Sequence, residues 1–257
     1  MNEMPEVMHH INLRKGDVRR YVLLPGDPGR CEKIAQYFDN PQFVTQKREY
    51  VTYTGTLLGE KVAVVSTGIG CPSTAIAVEE LVAIGADTFI RVGTSGGMQP
   101  ELIPGELAIL TGAIRDEGTT LHYLPVEFPA VADTEVVTAL REAAIQNQCG
   151  YHLGVSQSKD SFYGQHQPER MPVASHLLER WKAWKMGGAV CSEMEAAAIF
   201  ILGSIYRVRT GGVMLIMANQ EAPGPRVVYD DLHGTISTAV GALKILIERD
   251  RKAAQAA

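Results

Sequence analysis

An arginine followed by small hydroxyl and glycine residues ends a short apolar run in the first half of the chain. Residues 88–90 are apolar, which predicts a buried strand, and Arg91 then leads into Thr94, Ser95 and Gly96. Glycine lets the backbone turn sharply and approach a ligand closely. A guanidinium, two hydroxyls and free N–H groups at one strand end would suit an anion beside a polar small molecule. A glycine turn that carries a solvated arginine is the alternative.

A similar turn follows the first predicted strand. Asp27 suits an N-cap and Pro28 suits a first helical position, and we expect the helix to run over residues 30–38. Gly26 and Arg30 would then lie at a helix N-terminus, where free N–H groups and the helix dipole favour anions. An ordinary strand–turn–helix connection would have the same sequence.

Predicted strands alternate with predicted helices along the chain, and a third glycine-rich turn occupies residues 67–73. Strands are predicted over residues 21–24, 50–57, 61–66, 87–92, 106–113, 152–158 and 211–218, and helices over residues 73–84, 134–146, 196–205 and 229–251. This alternation predicts an α/β protein with a mostly parallel, doubly wound sheet, whose ligands bind where the strands end. The sequence contains neither the dinucleotide-binding fingerprint nor the P-loop motif.

The polar segment 158–170 also contains aromatic residues. Phe162 and Tyr163 stand close to Gln165 and Arg170. Binding a flat heterocycle needs such a set: a ring for stacking, an amide for a donor–acceptor edge and a guanidinium for an oxygen. The alternative is a loop that its own aromatic side chains hold in place.

A short acidic motif precedes the most apolar predicted helix. Ser192 and Glu195 have the S-x-x-E spacing of a capping box, and residues 196–205 are so apolar that their helix must be buried. The capping box would explain Glu195 structurally. A carboxylate at the entrance of a buried helix could instead accept hydrogen bonds from two hydroxyls of a sugar.

Composition excludes several classes of protein. The net charge of −5 gives no basic footprint for nucleic acid, and no apolar run approaches the ~20 residues that span a bilayer. We therefore expect neither a nucleic-acid partner nor a membrane. No C-x-x-C pair occurs among Cys31, Cys71, Cys149 and Cys191, which argues against a zinc site and a disulfide scaffold. Reduced thiols and a cytoplasmic location are expected.

Six short motifs occur in a fixed order along the chain. They are Pro-Gly-Asp-Pro at 25–28, Ser-Thr-Gly-Ile-Gly at 66–70, Ile-Arg-Val-Gly-Thr at 90–94, Glu-Phe-Pro-Ala-Val-Ala-Asp at 127–133, Asp-Ser-Phe-Tyr at 160–163 and Ser-Glu-Met-Glu at 192–195. In this order and spacing the chain resembles the nucleoside phosphorylase family, and most closely its uridine-cleaving members. The resemblance implies a single domain over residues 1–257, a three-layer α/β/α architecture with a central mixed β-sheet.

The resemblance also implies site residues. Those expected to bind phosphate are Gly26, Arg30, Arg91 and Thr94, together with Arg48 supplied by a neighbouring subunit. Those expected to bind ribose are Thr94, Met194, Glu195 and, from a neighbouring subunit, His10. Those expected to bind the base are Ser95, Gly96, Phe162, Gln165 and Arg170. Catalysis would depend on Arg91, Glu195 and Arg170, and a monovalent cation such as potassium would be held at a dimer interface by Glu49, Ile69 and Ser73.

The chain departs from the family pattern at two places. The uridine-cleaving members have Gly-Gln-x-Arg, whereas this chain has Gln165 and Gln167 after Gly164 and its arginine only at Arg170. Gln165 and Gln167 are therefore both candidates to bind the base. Gln220 stands where an arginine often closes the pocket, so closure of the segment 221–230 does not follow from the resemblance.

The implied reaction is the reversible phosphorolysis of uridine to uracil and ribose 1-phosphate. Inorganic phosphate would be the co-substrate, no other cofactor would be required, and dimers with shared sites would assemble into a homohexamer. A purine nucleoside phosphorylase is the first alternative, and Asn219 disfavours it because purine enzymes have an aspartate there. A nucleoside hydrolase, disfavoured by Arg30 and Arg91, and a non-catalytic nucleoside-binding protein are the others.

Overall fold

The structure, a computed structural model, describes residues 6–225 and 227–256. These residues form ten strands: β1 (Tyr21–Leu24), β2 (Asp39–Lys47), β3 (Tyr50–Leu57), β4 (Glu60–Val65), β5 (Thr88–Gly97), β6 (Leu107–Asp116), β7 (Ala130–Val131), β8 (Tyr151–Lys159), β9 (Cys191–Glu193) and β10 (Arg209–Asn219). They also form seven α-helices: α1 (Arg30–Ala35), α2 (Cys71–Ala83), α3 (Thr134–Gln146), α4 (Phe162–His166), α5 (Ala174–Met186), α6 (Ala196–Tyr206) and α7 (His233–Ala256). Two short 3-10 turns, Thr119–His122 and Pro168–Arg170, complete the regular structure of this part of the chain.

The strands form one mixed sheet in the order β10-β6-β8-β9-β5-β1-β4-β3-β2, with β7 paired to β6. Strand β5 runs parallel to β1 and β10, but β3 is antiparallel to both β2 and β4. The central mixed sheet is confirmed, and the mostly parallel sheet expected from alternation is wrong. One antiparallel pair comes from a tight turn, because Leu58 and Gly59 both have positive φ between β3 and β4, as a two-residue hairpin turn requires. Others, such as β10 with β6 and β5 with β9, join segments that are distant in sequence.

Five of these strands close into a ring. Strand β5 pairs with both β9 and β10, β10 pairs with β6, and β8 pairs with both β6 and β9. Strand β10 packs closely on β5 at Gly93, where a Cβ would lie 2.3 Å from Met214 Cε and displace that side chain. The ring brings the ends of β5, β8, β9 and β10 to one place.

Helices cover both faces of the sheet. One buried cluster contains apolar residues of α2 and α6, and a second contains apolar residues of α1, α3 and α7. The prediction that the helix after Glu195 is buried is confirmed, because residues 196–203 are all buried. Two helical layers around one sheet confirm the three-layer α/β/α architecture.

Several predicted boundaries differ from the structure. Helix α1 ends at Ala35 rather than residue 38, and its N-cap is Gly29 rather than Asp27. Asp27 instead accepts a hydrogen bond from Gly29 N through Oδ1 at 2.9 Å, so it shapes the turn before the helix. Helix α2 begins at Cys71, two residues early, and α7 begins at His233 rather than residue 229.

Strand β2 and helix α5 have no counterpart in the sequence prediction. Both lack a buried side chain, so neither has the apolar periodicity on which such predictions depend. In the described part of the chain, no helix combines the length and the apolar character that a membrane span requires.

Candidate active site

A cavity of about 850 Å³ opens at the carboxyl ends of the strands. Its wall is formed by residues of β5, by the ends of β8, β9 and β10, by the segments that follow β1, β4, β8, β9 and β10, and by Glu49 before β3. Ligands of open α/β sheets bind at such an edge. The residues that line it are Gly26, Asp27, Pro28, Arg30, Glu49, Gly68, Ile69, Pro72, Ser73, Arg91, Thr94, Ser95, Gly96, Lys159, Phe162, His166, Ser192, Glu193, Met194, Glu195, Met217, Ala218, Gln220 and Val228.

Arg91 is buried at the centre of this wall, with 4% of its surface exposed. Its Nε donates to Glu193 Oε2 at 3.0 Å, and its Nη2 donates to Glu195 Oε2. Arg91 Nη1 is also buried, and it has no hydrogen-bond partner among the described residues. A buried guanidinium nitrogen without an acceptor is costly, so Nη1 is a donor that an anion in the cavity would satisfy.

Arg30 lies on the same side of the cavity as Arg91. Its Nη2 is 3.4 Å from Thr94 Oγ1, and its Nε is 3.7 Å from Asp27 Oδ2. Burial lowers the pKa of Arg30, although Asp27 opposes this. Gly26 lies close to Arg91 as well, because a Cβ on it would lie 3.9 Å from Arg91 Nη1 and 3.1 Å from Gly68 O. Two guanidinium groups, a hydroxyl and a glycine backbone therefore surround one space.

Glu195 lies between this cationic end and the rest of the cavity. Its Oε1 accepts a hydrogen bond from Gly70 N at 2.6 Å. Burial raises its pKa, and the charge of Arg91 opposes the change. The Arg91 and Gly70 contacts fix the carboxylate where it lines the cavity.

The capping box predicted for Ser192 and Glu195 is wrong. Ser192 lies in β9, where it pairs with Gly96, and Glu195 makes no side-chain cap at the start of α6. Glu193 caps the helix instead, since its Oε2 accepts from Glu195 N at 2.8 Å and from Ala196 N at 2.9 Å. The capping box therefore does not explain Glu195, whose carboxylate lines the cavity.

Lys159 ends β8 and lines the cavity on the side away from Arg30. Its Nζ donates to Ser192 Oγ at 2.7 Å, and Ser192 Oγ in turn donates to Gln157 Oε1 at 2.7 Å. Gln157 Nε2 donates to Asp116 Oδ2 at 2.7 Å and to Gln165 Oε1 at 3.2 Å. Burial lowers the pKa of Lys159, while the carboxylates of Glu193 and Glu195 oppose the change.

The segment after Lys159 forms helix α4 rather than a loop. Ser161 Oγ caps it by accepting from Gly164 N at 3.0 Å. Phe162 and His166, one turn apart, line the cavity with ring centroids 4.2 Å apart. This side of the cavity therefore offers aromatic surface to a flat ring.

Asn219 ends β10, and Gln220 directly follows it. Asn219 is buried, and its Nδ2 donates to Gln99 O at 2.8 Å and to Leu102 O at 2.9 Å. Its Oδ1 accepts from Glu221 N, so the whole amide is committed to the fold. Gln220 lines the cavity, and its Nε2 contacts His166 Nδ1.

Comparison with known proteins agrees with this geometry. The family model of the phosphorylase superfamily matches residues 20–249. The chain belongs to the phosphorylase superfamily. Uridine phosphorylase of Treponema pallidum is 55% identical over 94% of this chain and 95% of its own length, and that of Thermococcus kodakarensis is 47% identical over 83% and 78%. Guanosine phosphorylase of Halorubrum lacusprofundi is 38% identical over 82% of this chain and 83% of its own length.

Most residues expected to form a phosphorylase site line this one cavity. They are Gly26, Arg30, Glu49, Ile69, Ser73, Arg91, Thr94, Ser95, Gly96, Phe162, Met194 and Glu195. The described residues contain no group of three or more His, Cys, Asp or Glu side chains suited to a metal ion. Cation binding at Glu49, Ile69 and Ser73 stays a prediction.

Four of the expected residues do not line the cavity of this chain. Arg170 is exposed and donates to Gln167 Oε1. Gln165 is half-buried behind the wall, where it accepts from Gln157. Arg48 is exposed, and His10 Nδ1 lies 2.6 Å from Glu80 Oε1. That Arg48 and His10 serve a neighbouring subunit stays a prediction.

Sequence reasoning missed Lys159 and Glu193 as parts of the site. In the sequence, Glu193 is only a member of the Ser-Glu-Met-Glu motif, and Lys159 is only one charged residue in a polar segment. Their position is evident only in the structure, where each is the last residue of a strand that ends at the cavity.

Proposed function

We propose that the chain is a uridine phosphorylase, which transfers the ribose of uridine to inorganic phosphate and releases uracil. The observation that carries the proposal is the order of groups along one cavity. Arg30 follows β1, Arg91 lies on β5, Glu195 follows β9 and Phe162 follows β8. These strands stand in the order β1-β5-β9-β8 in the sheet, so the two arginines would lie at one end of the cavity, Glu195 in the middle and Phe162 at the other end. Phosphate, ribose and base are joined in this same order in the transition state. The similarity to two uridine phosphorylases supports this assignment.

Phosphate would bind between Arg30, Arg91 and Thr94. Arg91 Nη1 would gain the acceptor that it lacks among the described residues, and Thr94 Oγ1 lies within reach of Arg30. Charge-assisted hydrogen bonds of this kind are about twice as strong as neutral ones. The backbone at Gly26 would approach the anion directly, since glycine carries no Cβ.

Ribose would lie against Glu195, whose carboxylate would accept hydrogen bonds from the 2′- and 3′-hydroxyls. Met194 precedes it on the same wall. A fixed carboxylate orients the sugar so that C1′ faces the phosphate, and this arrangement lowers the entropic cost of bringing the two reactants together.

The reaction forms one bond and breaks one. A phosphate oxygen attacks C1′, the bond from C1′ to N1 of uracil breaks, and its electron pair passes to the base. The sugar becomes cation-like and the base becomes an anion, which donors at its oxygens would stabilise. No covalent enzyme intermediate is needed. Base recognition by Phe162, Ser95, Gly96 and Gln165 belongs to this proposal, and so does Arg170 once its side chain turns away from Gln167.

The decisive experiment measures base release from uridine, 2′-deoxyuridine, thymidine, cytidine and inosine, each with and without phosphate. We expect rapid uracil release from uridine only when phosphate is present. Release at the same rate without phosphate would make the protein a hydrolase. Binding of uridine with no release in phosphate would make it a nucleoside-binding protein.

Purine nucleoside phosphorolysis is the second candidate, because one relative is a guanosine phosphorylase. The Asn219 amide is fully occupied by backbone partners, so it could not also serve a purine ring. Efficient release of hypoxanthine from inosine would nevertheless favour this candidate over the uridine assignment.

We also propose that the chain works as a single domain over residues 1–257 in a cytoplasmic homohexamer for pyrimidine salvage. Each dimer would share its sites, and Arg48 and His10 would serve a neighbouring subunit. Potassium would bind at Glu49, Ile69 and Ser73. Mixing inactive Arg48→Ala subunits with inactive Arg91→Ala subunits tests the sharing, because a shared site regains activity in the mixed oligomer.

A further inference from the structure

Cationic side chains lie at both ends of the cavity. Of the residues that the structure describes, Arg30, Arg91 and Lys159 are the lysines and arginines that line it. Arg30 and Arg91 face the space assigned to phosphate. Lys159 is 4% exposed, and nothing in the proposed mechanism uses it so far. A buried cation is costly unless it is paired or functional.

The strand order places Lys159 far from the phosphate end. Arg30 follows β1, Lys159 ends β8, and the strands between them are β5 and β9. Three strand spacings of ~4.8 Å separate β1 from β8 along the sheet. Glu195 follows β9 and therefore lies between the two cations. Phe162 begins the helix directly after Lys159, so Lys159 is at the end of the cavity where a ring would stack.

The Lys159 ammonium is held in place and only partly satisfied. In the described part of the chain it donates one hydrogen bond, to Ser192 Oγ at 2.7 Å. Ser192, Gln157 and Asp116 continue this chain of hydrogen bonds. An ammonium group has three donors, so two remain for another acceptor. Charged groups of Glu193, Glu195 and Asp116 lie near enough to favour its cationic form.

We propose that Lys159 contacts the leaving base and stabilises the negative charge that develops on its carbonyl oxygens. This inference rests on the proposed function. When the bond from C1′ to N1 breaks, its electron pair spreads over N1, O2 and O4 of uracil. The Lys159 ammonium donates a hydrogen bond to one of these oxygens and keeps its proton, and the released base takes a proton at N1 from water. Arg170, which is exposed, is not required for this role.

The test compares Lys159→Met with the wild type on two leaving groups. We expect kcat/KM for uridine to fall about 100- to 1000-fold, as for loss of one donor to a developing oxyanion. The loss should be clearly smaller for 5-fluorouridine, because its base is a better leaving group and needs less stabilisation. KM for phosphate should stay near the wild-type value, because phosphate binds at the other end.

Lys182→Met provides the control, because Lys182 lies exposed on α5 outside the cavity and should leave kinetics unchanged. Equal losses on uridine and 5-fluorouridine would overturn the proposal, since a merely structural lysine would slow both substrates alike. An unchanged rate would also overturn it.

A binding measurement covers the case in which Lys159→Met folds poorly or the wild type proves not to be a phosphorylase. Barbiturate is an anionic pyrimidine ring that carries the two oxygens of uracil and a third at C6. Calorimetry with Lys159→Gln should show barbiturate binding weakened about 10- to 100-fold and binding of neutral uracil nearly unchanged. Equal weakening of both ligands would overturn the proposal. A wild type that releases no uracil overturns the proposed function alone, and the barbiturate comparison then decides the role of Lys159.

Discussion

Arg91 and Arg30 belong to the same end of the cavity but differ in what they do for the fold. Arg91 is buried against two carboxylates, those of Glu193 and Glu195. Arg30 contacts Thr94 Oγ1 at 3.4 Å and lies 3.7 Å from Asp27, whose side chain is 56% exposed. Removing one partner of a buried ion pair leaves the other charge uncompensated, whereas exposed pairs contribute little to stability. The two arginines can therefore be separated experimentally.

Arg30→Ala should raise KM for phosphate about 10- to 100-fold, the value of a charge-assisted hydrogen bond, and should cost less than ~1 kcal/mol of unfolding free energy. Arg91→Ala should abolish phosphorolysis and also cost about 3–5 kcal/mol. Phosphate kinetics and urea unfolding of both variants measure these effects. Equal stability losses would show that Arg30 also has a structural role.

Glu195→Gln should reduce kcat/KM for uridine about 100-fold or more, because the amide loses charge and one acceptor. The same variant should affect 2′-deoxyuridine much less, since that substrate lacks one of the two hydroxyls. Parallel kinetics on the two nucleosides provide the measurement. Identical losses on both would place Glu195 away from the 2′-hydroxyl.

Among single residues of the site, those that come soon after an apolar run could be predicted from the sequence. Arg91 and Arg30 were expected at one edge of the sheet because each comes soon after an apolar run in the sequence. Both line the cavity, although Arg91 itself lies within β5. Lys159 and Glu193 could not be assigned in the same way. Their burial depends on the pairing of β8 with β9, which joins segments whose register no local pattern specifies.

Helix α6 starts with a cap that also belongs to the site. Glu193 accepts from two backbone N–H groups through Oε2 and from Ser156 and Ser158 through Oε1. Ser158 Oγ also accepts from Ala197 N at 2.9 Å. The first turn of the most apolar helix is thus fixed by the same carboxylate that holds Arg91 Nε.

Glu193→Gln should cost about 3–5 kcal/mol of unfolding free energy, because a buried carboxylate with a paired guanidinium is lost. Asp133→Ala provides the matched control. Asp133 caps α3 through Glu135 N and Val136 N but is only half-buried, so its loss should cost about 0.5–2 kcal/mol. Chemical unfolding of both variants tests the difference. A smaller effect for Glu193→Gln than for Asp133→Ala would contradict the buried-cap interpretation.

Elements with a strong apolar pattern were predicted from the sequence, and short or exposed ones were not. Helix α6 was expected because ten residues in succession are apolar or small. Strand β9 has three residues and lies within the motif that was interpreted as a capping box. Its formation depends on the two neighbours β5 and β8, so local sequence could not indicate it.

Helix α7 is tied to the sheet by a cluster of ionic hydrogen bonds at the end opposite the cavity. Asp250 accepts from Arg209 Nη1 at 2.8 Å and from Tyr21 OH at 2.6 Å, and Arg20 Nη2 lies 3.1 Å from its Oδ2. Burial alone would raise the pKa of Asp250, but the hydrogen bonds from Arg209 and Tyr21 outweigh it and the pKa is lowered.

Asp250→Asn should cost about 1.5–3 kcal/mol of unfolding free energy at neutral pH. Because the folded pKa is lowered, this stabilisation is present above the unfolded aspartate pKa of about 3.9 and is lost as pH falls through the folded pKa. The difference between variant and wild type should therefore shrink below about pH 4. Urea unfolding across this pH range measures it. The exposed Asp230 provides the control variant Asp230→Asn, which should show no such pH dependence.

The arrangement of the whole sheet was only partly accessible from the sequence. Apolar runs located most of the strands, but they did not specify that β10 would pair with β5 and β6 at once. The resemblance implied a mixed sheet, and the observed one is mixed. Closure of the five-strand ring depends on contacts between distant segments, which no window of local sequence contains.

The ring also affects how the protein is made. Thr88 of β5 and Arg209 of β10 meet across 121 positions of sequence, so β5 has no β10 partner until the last strand has left the ribosome. Synthesis proceeds at roughly 5–20 residues per second. Strand β5 therefore stays without its β10 partner for roughly ten seconds while the chain is being made. During that interval its N–H and C=O groups are open to pairing with other chains. We expect a chaperone to bind the nascent chain until the ring closes.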